Sequence, residues 1–339
     1  MSRMEEKLEG RKTGIDGEML SEIGLAAQKI LSGELVGFPT ETVYGLGANA
    51  LDAEAVKKIY SAKGRPSDNP LIIHVCDIKM AESVVELNWR ARFLMDTFWP
   101  GPLSLVLKAK RIVPHVTRGG LDTAAIRMPD NPIALELIRA AGVPIAAPSA
   151  NRSGRPSPTD AVTVREDIGD AVSMVLDGGP AVVGLESTVL DVSGEDPVLL
   201  RPGGVSKEEI ERALHIPVLL PCDGESTKRS PGTRYRHYAP EVPLVLTDSS
   251  YSSEAEGKKW AWIGTSEPEH SPAVKIIFRD TEEYAKELFR ALRTIEKSGA
   301  EIIIAQIPDE SGIGRALKDR LIRASGIVND QGKCHLLGG

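Results

Sequence analysis

Three short segments carry most of the polar chemistry of this chain. Phe38 to Gly47 reads FPTETVYGLG, Lys63-Gly64-Arg65-Pro66 follows, and Pro148-Ser149-Ala150-Asn151 comes later. All three read as loops close to apolar runs, where binding and catalytic groups concentrate. In an extended segment alternate side chains share a face. Thr40 and Thr42 would then set two hydroxyls side by side, suited to a small polar ligand or a phosphate, although hydroxyls also satisfy turn backbone. Lys63 and Arg65 would share a face likewise, a point charge and a forking guanidinium that suit a triphosphate; a solvated surface pair is the competing reading. Ser67 and Asn69 add neutral donors. Ser149 and Asn151 repeat the alternate-residue pattern after the apolar run ending at Ala147, a place where open α/β sheets bind ligands.

Further single residues fit the same picture. Arg127 closes the strand-like TAAIR, where a cation suits an α-carboxylate or a structural ion pair equally well. Arg201, in LLRPGG, is a second strand-end cation, and Gly203-Gly204 would let backbone approach closely. His74 in LIIHV reads first as a satisfied core histidine. Ser187 in GLEST lacks the strained elbow of a hydrolase nucleophile. Gly45-Leu-Gly47-Ala-Asn-Ala50 matches a dinucleotide fingerprint, but the polar PTET run separates it from the preceding strand and the better helix start comes later, so nicotinamide binding is not expected. There is no P-loop and no metal-ligand spacing; magnesium would arrive with nucleotide phosphates.

The elements that must hold these groups follow from composition and periodicity. The chain has 339 residues, 41% hydrophobic and 26% charged, with net charge −7 and pI near 5.6. That predicts about two domains and disfavours a broad nucleic-acid surface. Local basic clusters remain at Lys57, Lys58, Lys63 and Arg65, and at Arg229, Arg234, Arg236 and His237. Cys76, Cys222 and Cys334 are scattered, which fits a reducing cytosol better than a disulfide framework. The polar start MSRMEEKLEG is unlike a signal peptide, and no apolar run reaches the length of a membrane helix.

Helical spacing is expected over 17–32, from the cap Asp52 to about Ala62, over 132–141 and over 160–168. Strands are expected at Leu35–Phe38, Leu71–Val75, Leu103–Leu107, Thr123–Arg127, Val143–Ala147, Ser173–Leu176, Ser187–Val192 and Val198–Leu200. This order suggests a mixed sheet. Residues 216–242 are irregular and read as a linker, in which SPGTRYRHYAP is too rich in aromatic and basic groups for a plain spacer. After Pro243, strands at Leu244–Leu246, Trp260–Ile263, Val274–Phe278 and Ile302–Ala305 alternate with helices at 281–298 and 315–325. That predicts a small α/β domain with a parallel sheet.

Taken in order, PTETVYGLG, K-x-R-P, DNPL…H, WPGPLSLVL, TAAIRMP, APSAN, GLESTVLD and LLRPG resemble the YrdC-type L-threonylcarbamoyladenylate synthases, and SPGTRYRHYAP resembles the linker of their long, two-domain members. Thr233 stands where that linker is expected to carry methionine. The resemblance implies an α/β fold: a YrdC-like twisted mixed sheet flanked by helices over 1–215, a linker or lid over 216–242, and a smaller Rossmann-like α/β domain over 243–339. It implies a cytoplasmic enzyme that joins L-threonine, bicarbonate or CO2 and ATP into threonylcarbamoyl-AMP, with magnesium carried by ATP and no organic cofactor. The product would pass to the tRNA threonylcarbamoyl transferase machinery, without direct tRNA binding or a membrane partner.

Carried onto this sequence, ATP would be bound by Lys63, Arg65, Ser67, Thr123, Ser149, Asn151 and Arg201, with a backbone contact at Ala147 and His237 from the linker. Lys63 and Arg65 would carry the catalytic charge. Thr40, Thr42, His74, Arg127 and Ser187 would hold threonine and its carbamate. Arg234, Tyr235, Arg236 and His237 would form the lid. Two other classes compete. Hydrogenase-maturation carbamoyltransferases contain a similar module but add cysteine-rich segments absent here. A non-catalytic RNA-binding module is disfavoured by the acidic balance.

Overall fold

The computed structural model describes residues 14–221, 237–250 and 252–326. They fall into two compact units. The first takes 14–153 and 157–221, and the second takes Gly154–Pro156 with the described residues from 237 onward.

In the first unit the helices begin where short polar side chains cap them. Helix α1 (Gly17–Leu31) starts at Asp16, whose carboxylate accepts from the Met19 amide, and buries Ile23, Ala26, Ala27 and Ile30 at helical spacing. Strands β1 (Val36–Phe38) and β2 (Gly45–Asn49) follow as an antiparallel pair. Asp52 caps α2 (Ala53–Lys63) through the amides of Glu54 and Ala55, and such a cap is worth about 1 kcal/mol. Then come β3 (Ile72–His74), α3 (Ile78–Val84), α4 (Trp89–Phe98), β4 (Leu103–Lys108) and β5 (Thr123–Arg127). Next are α5 (Pro132–Ala141), β6 (Ile145–Ala146), α6 (Ala161–Ile168), β7 (Met174–Val175), β8 (Thr188–Asp191), β9 (Val198–Arg201) and α7 (Lys207–Leu214).

The strands form one nine-stranded sheet in the order β7-β1-β2-β6-β3-β5-β4-β8-β9. It is mixed, as the alternation of elements predicts: β1–β7, β3–β5 and β4–β8 are parallel, and the other neighbouring pairs antiparallel. Alternation gives the sheet two different faces. Ile73, Leu105, Leu107, Ile126 and Leu190 join the large core built with the helices. Ile72, Val106, Ala125, Val189 and Leu200 form a separate, much smaller cluster. The strand-borne functional candidates belong with that second cluster.

One reading of the chain is corrected here: Gly45–Asn49, read as part of a loop, is an interior strand of the sheet. A Cβ on Gly47 would come within 2.9 Å of Phe38 and Ile145, so its glycine makes room for a ring and a neighbouring strand. Within the stretch expected as linker, Leu219 pairs with the start of β9, its amide donating to the Pro197 carbonyl and its carbonyl accepting from Leu199. Residues 222–236 lie outside the described residues.

The second unit holds β10 (Leu244–Thr247), β11 (Trp260–Gly264), β12 (Val274–Ile277), α8 (Thr281–Glu296), β13 (Ile302–Gln306) and α9 (Gly314–Ser325). All neighbouring strands are parallel, in the order β10-β13-β11-β12, the parallel α/β domain expected. Tyr238 is buried with φ +63°, its ring 5.4 Å from that of Phe289 and 5.3 Å from the Arg320 guanidinium. Arg320 is wholly buried; Asp319 bonds to it at 2.6 Å and to Arg323 at 3.0 Å. No helix among the described residues is long and apolar enough to cross a membrane.

Candidate active site

The period of the strands decides which side chains meet. On β3, His74 lies two residues from Ile72, and on β5 Thr123 and Arg127 flank Ala125, so all three share the face of the small apolar cluster. Ser104 shares it through Val106. Ser187, just before β8, shares it through Val189, and Arg201 lies opposite Val189 across the β8–β9 pair. Ala147 joins at the level of Ile72, to whose carbonyl its amide donates at 2.9 Å, and Ser149 follows two residues later, opposite Gly45. Side chains separated by more than 120 residues in sequence are thus gathered on a single floor.

One group centres on Arg127. Its Nη1 donates to Thr42 Oγ1 at 2.9 Å, its Nε to the Gly101 carbonyl at 3.2 Å, and its Nη2 lies 2.5 Å from Glu41 Oε2. Thr40 and Thr42 do meet, with their hydroxyls 2.8 Å apart, but not because the chain is extended. Residues 41–43 form a bend, and Thr40 Oγ1 donates to the Val43 carbonyl inside it. His74 is buried beside this group, its ring edge-on to Phe38 at 5.9 Å and its Nδ1 3.2 Å from the Ile72 carbonyl. Burial, then the nearby Arg127 charge, push its pKa down to about 3, so it is neutral at physiological pH.

A second group lies at Arg201. Its Nη2 and Nε bond to the Ser187 carbonyl at 2.8 and 3.2 Å, and Ser187 Oγ meets Ser104 Oγ at 2.8 Å. Gly203 sits so close that a Cβ there would be 2.2 Å from the Thr188 amide, which is the close backbone approach that the Gly-Gly pair suggested. Glu186, next in sequence, accepts from Ser157 Oγ at 2.5 Å.

The third group is built on Lys63, and it revises the extended reading of K-x-R. Lys63 ends helix α2, and Gly64 takes the left-handed cap at φ +61°, so a helix terminus rather than an extended chain sets Lys63 and Arg65 near each other. The buried Lys63 ammonium donates to the carbonyls of Ser149, at 2.6 Å, and Asn151. Burial, then Arg65, hold its pKa well below the ordinary lysine value against the pull of Asp167 and Glu186. Arg65 Nη2 donates to the Pro70 carbonyl at 3.1 Å, while Ser67 is exposed on the same loop. His237 belongs to the second unit, and Arg234, Tyr235 and Arg236 lie outside the described residues.

Chemically, this face offers buried cations, hydroxyls and backbone donors. Among the described residues it offers no activated nucleophile: Cys76 is buried away from it in the large core, with its thiol pushed up to about 11 by burial. Among the described residues no three acidic, histidine or cysteine side chains gather as a metal site. Such a face binds and stabilises anions rather than attacking them. Glu41 is absent from the sequence reading, and its available signal is a carboxylate inside a run of otherwise apolar and hydroxylated residues.

Known proteins match this chain along most of its length. A family model described as "Telomere recombination", that of Sua5, YciO and YrdC, matches residues 28–203, and one described as "Threonylcarbamoyl-AMP synthase, C-terminal domain" matches 205–326. The threonylcarbamoyl-AMP synthase of Pyrococcus abyssi is 46% identical over 90% of this chain and 94% of its own length. That of Bacillus subtilis is 44% identical over 90% of this chain and 93% of its own. The crystal structure of P. abyssi Sua5 complexed with L-threonine is similar at a TM-score of 0.85 and 44% identity, covering 91% of this chain and 95% of that one.

Proposed function

This chain belongs to the family of two-domain threonylcarbamoyl-AMP synthases, and from that membership we infer that it condenses L-threonine, bicarbonate and ATP into L-threonylcarbamoyl-AMP, pyrophosphate and water. The product serves threonylcarbamoylation of adenosine 37 in tRNAs that decode codons beginning with A. The observation that carries the reading is the match, over nine-tenths of both chains, to a relative crystallised with L-threonine.

The roles follow from charge and position. Threonine's carboxylate suits Arg127, its hydroxyl suits the neutral His74 and the Thr40–Thr42 pair, and Ser187 lies beside the resulting carbamate. The triphosphate, entering as its magnesium complex, suits Lys63, Arg65, Ser67 and Arg201, with Thr123, Ala147, Ser149 and Asn151 placing the nucleoside. The threonine amine displaces water from bicarbonate to form the carbamate. A carbamate oxygen then attacks the α-phosphorus, the bond to the β-phosphate bridge breaks, and pyrophosphate departs. Charge grows on the phosphoryl oxygens and the leaving group, where preorganised cations lower the barrier. No protein nucleophile takes part.

The carbamate and the adenylate both break down in water, so a cover over the cleft has a purpose. We assign that role to the linker, with Arg234, Tyr235, Arg236 and His237 closing over bound substrates, the last on ATP. Deleting 228–240 should shorten the adenylate's lifetime and slow turnover; unchanged values would remove the lid from the account. The cytoplasm supplies every substrate and the tRNA machinery that consumes the product. The direct test of the reaction is pyrophosphate release with threonine and bicarbonate each omitted in turn. Release that needs both, with serine a poor substitute, is expected; release that needs neither would make this an unrelated ATPase.

A further inference from the structure

Glu41 stands between the two threonines of the 39–44 loop with 6% of its surface exposed. Its Oε2 touches Arg127 Nη2 at 2.5 Å, but the angle makes no hydrogen bond. Both Glu41 oxygens and Arg127 Nη2 are therefore buried with their charges compensated and their hydrogen-bonding capacity unused. Native interiors seldom leave such groups so, and those that persist mark places where something else completes them. The completing molecule must bring donors for a carboxylate and an acceptor for a guanidinium, close together. A zwitterionic amino acid brings both on one carbon. Of the three substrates, ATP and bicarbonate are anions, and only threonine carries a cation.

Resting on the synthase reading above, we propose that Glu41 binds the α-ammonium of threonine and is the base that frees its amine for carboxylation. Near neutrality the amine is protonated and has no lone pair to offer. In the first step an N–H bond of the ammonium breaks and an O–H bond forms on Glu41, giving neutral amine and neutral acid. The amine's lone pair then forms the N–C bond to bicarbonate. The hydroxyl of bicarbonate leaves with an amine proton as water, and threonine carbamate remains. Glu41 returns its proton to solvent, so one proton is released per carbamate and nothing is oxidised.

The surroundings suit this role. Val183 and Gly184 donate backbone bonds to the carbonyls of Glu41 and Thr42 at 2.7 and 3.1 Å, fixing the loop. The charged or titratable groups on the packed elements are Arg127 on β5, His74 on β3, Glu186 before β8, and Tyr44 at the end of the loop itself. Arg127 is bonded to Thr42 and to the Gly101 carbonyl, His74 is neutral, Tyr44 is raised beyond its ordinary range by burial, and Glu186 is engaged by Ser157. None of them is placed to do what Glu41 does.

The test is the pH profile of threonine- and bicarbonate-dependent pyrophosphate release by the full chain and by Glu41→Gln. At pH 7 the variant should lose about 100-fold or more in kcat/KM for threonine, the usual worth of a general base. The deficit should shrink to about tenfold or less as alkaline buffer deprotonates the amine itself, because solvent then does the work of the missing base. A deficit equal at every pH, or none at all, would overturn the role of Glu41. Should Glu41→Gln lose ATP binding and so prove misfolded, Glu41→Asp takes its place, assayed with threonine and with its α-hydrazino analogue. A smaller deficit for the analogue, whose nitrogen is less basic, supports the proposal, and equal deficits overturn it. Wild-type release that ignores threonine would instead overturn the synthase reading, so the two failures are separable.

Discussion

The Lys63 ammonium donates to the carbonyl oxygen of Ser149 at 2.6 Å, joining the end of α2 to the loop that follows β6. A cation at this point both shapes the loop and lends it charge. Lys63→Met keeps the stem and deletes the donors. We expect ATP affinity to fall about tenfold and turnover about 100-fold, with a stability loss of about 1–3 kcal/mol, read by nucleotide titration, initial rates and thermal melting. Lys63→Arg should not rescue, since a planar fork does not fit a seat made for a compact ammonium.

His74 gives a prediction about pH. Its folded pKa, about 3, lies below the ordinary value of 6.5. The unfolded chain therefore binds more protons between these values, and stability rises with pH across that window. The contribution is fully present above about 6.5 and is lost as pH falls toward 3. In NMR spectra the His74 imidazole should show no titration between pH 5 and 8, while His74→Gln should flatten the acid limb of the melting profile. A His74 midpoint near 6.5 would contradict the burial described.

Gly203→Ala should fail for steric reasons. The new methyl would meet the Thr188 amide at 2.2 Å and the Glu186 carbonyl at 2.4 Å, both backbone. The strand end must move, taking with it the Ser187 carbonyl that Arg201 grips. We expect a melting temperature lower by several degrees and activity down about tenfold or more. The neighbouring Gly204→Ala meets the Pro102 ring and a Val183 methyl, 2.7 and 3.3 Å away, and should do less harm.

Asp319 offers a test in the second unit alone. Burial raises its carboxyl, but Arg323 and Arg320 together outweigh that and hold it below its ordinary value. Protons are then bound more by the unfolded chain, so the stabilisation is present above about pH 4 and disappears as pH falls through the lower, folded value. Asp319→Asn should cost about 3–5 kcal/mol near neutrality by taking the carboxylate from between two arginines. Acid unfolding monitored at the Trp260 and Trp262 fluorescence should lose the corresponding transition.

Much of this was legible in the chain, and the reasons for the exceptions are physical. Asp52 announces its helix by cap chemistry, the structure adds Asn131 and Asp160 as caps of α5 and α6, and TAAIR and LIIHV announce strands by composition. The helices α3 and α4 are absent from the sequence reading although Asp77 and Asn88 cap them. Helix α7 was missed despite the capping box of Ser206 and Glu209. Strand β2 hid behind its glycines, whose purpose is space for Phe38. Lys63 and Arg65 read as alternate residues of an extended chain, since sequence spacing does not reveal where a helix ends. The pairing of Glu41 with Arg127 joins residues 86 positions apart, and no local pattern carries it.

Strand β9 lies at the edge of its sheet and ends in Arg201, the last in sequence of the cations gathered on the site's strands. Domains fold as units during synthesis, from the amino terminus onward. Since the unit folds as a whole, a chain ended before residue 201 lacks both the edge strand that pairs with β8 and the guanidinium that grips the Ser187 carbonyl, so truncation there removes fold and site together.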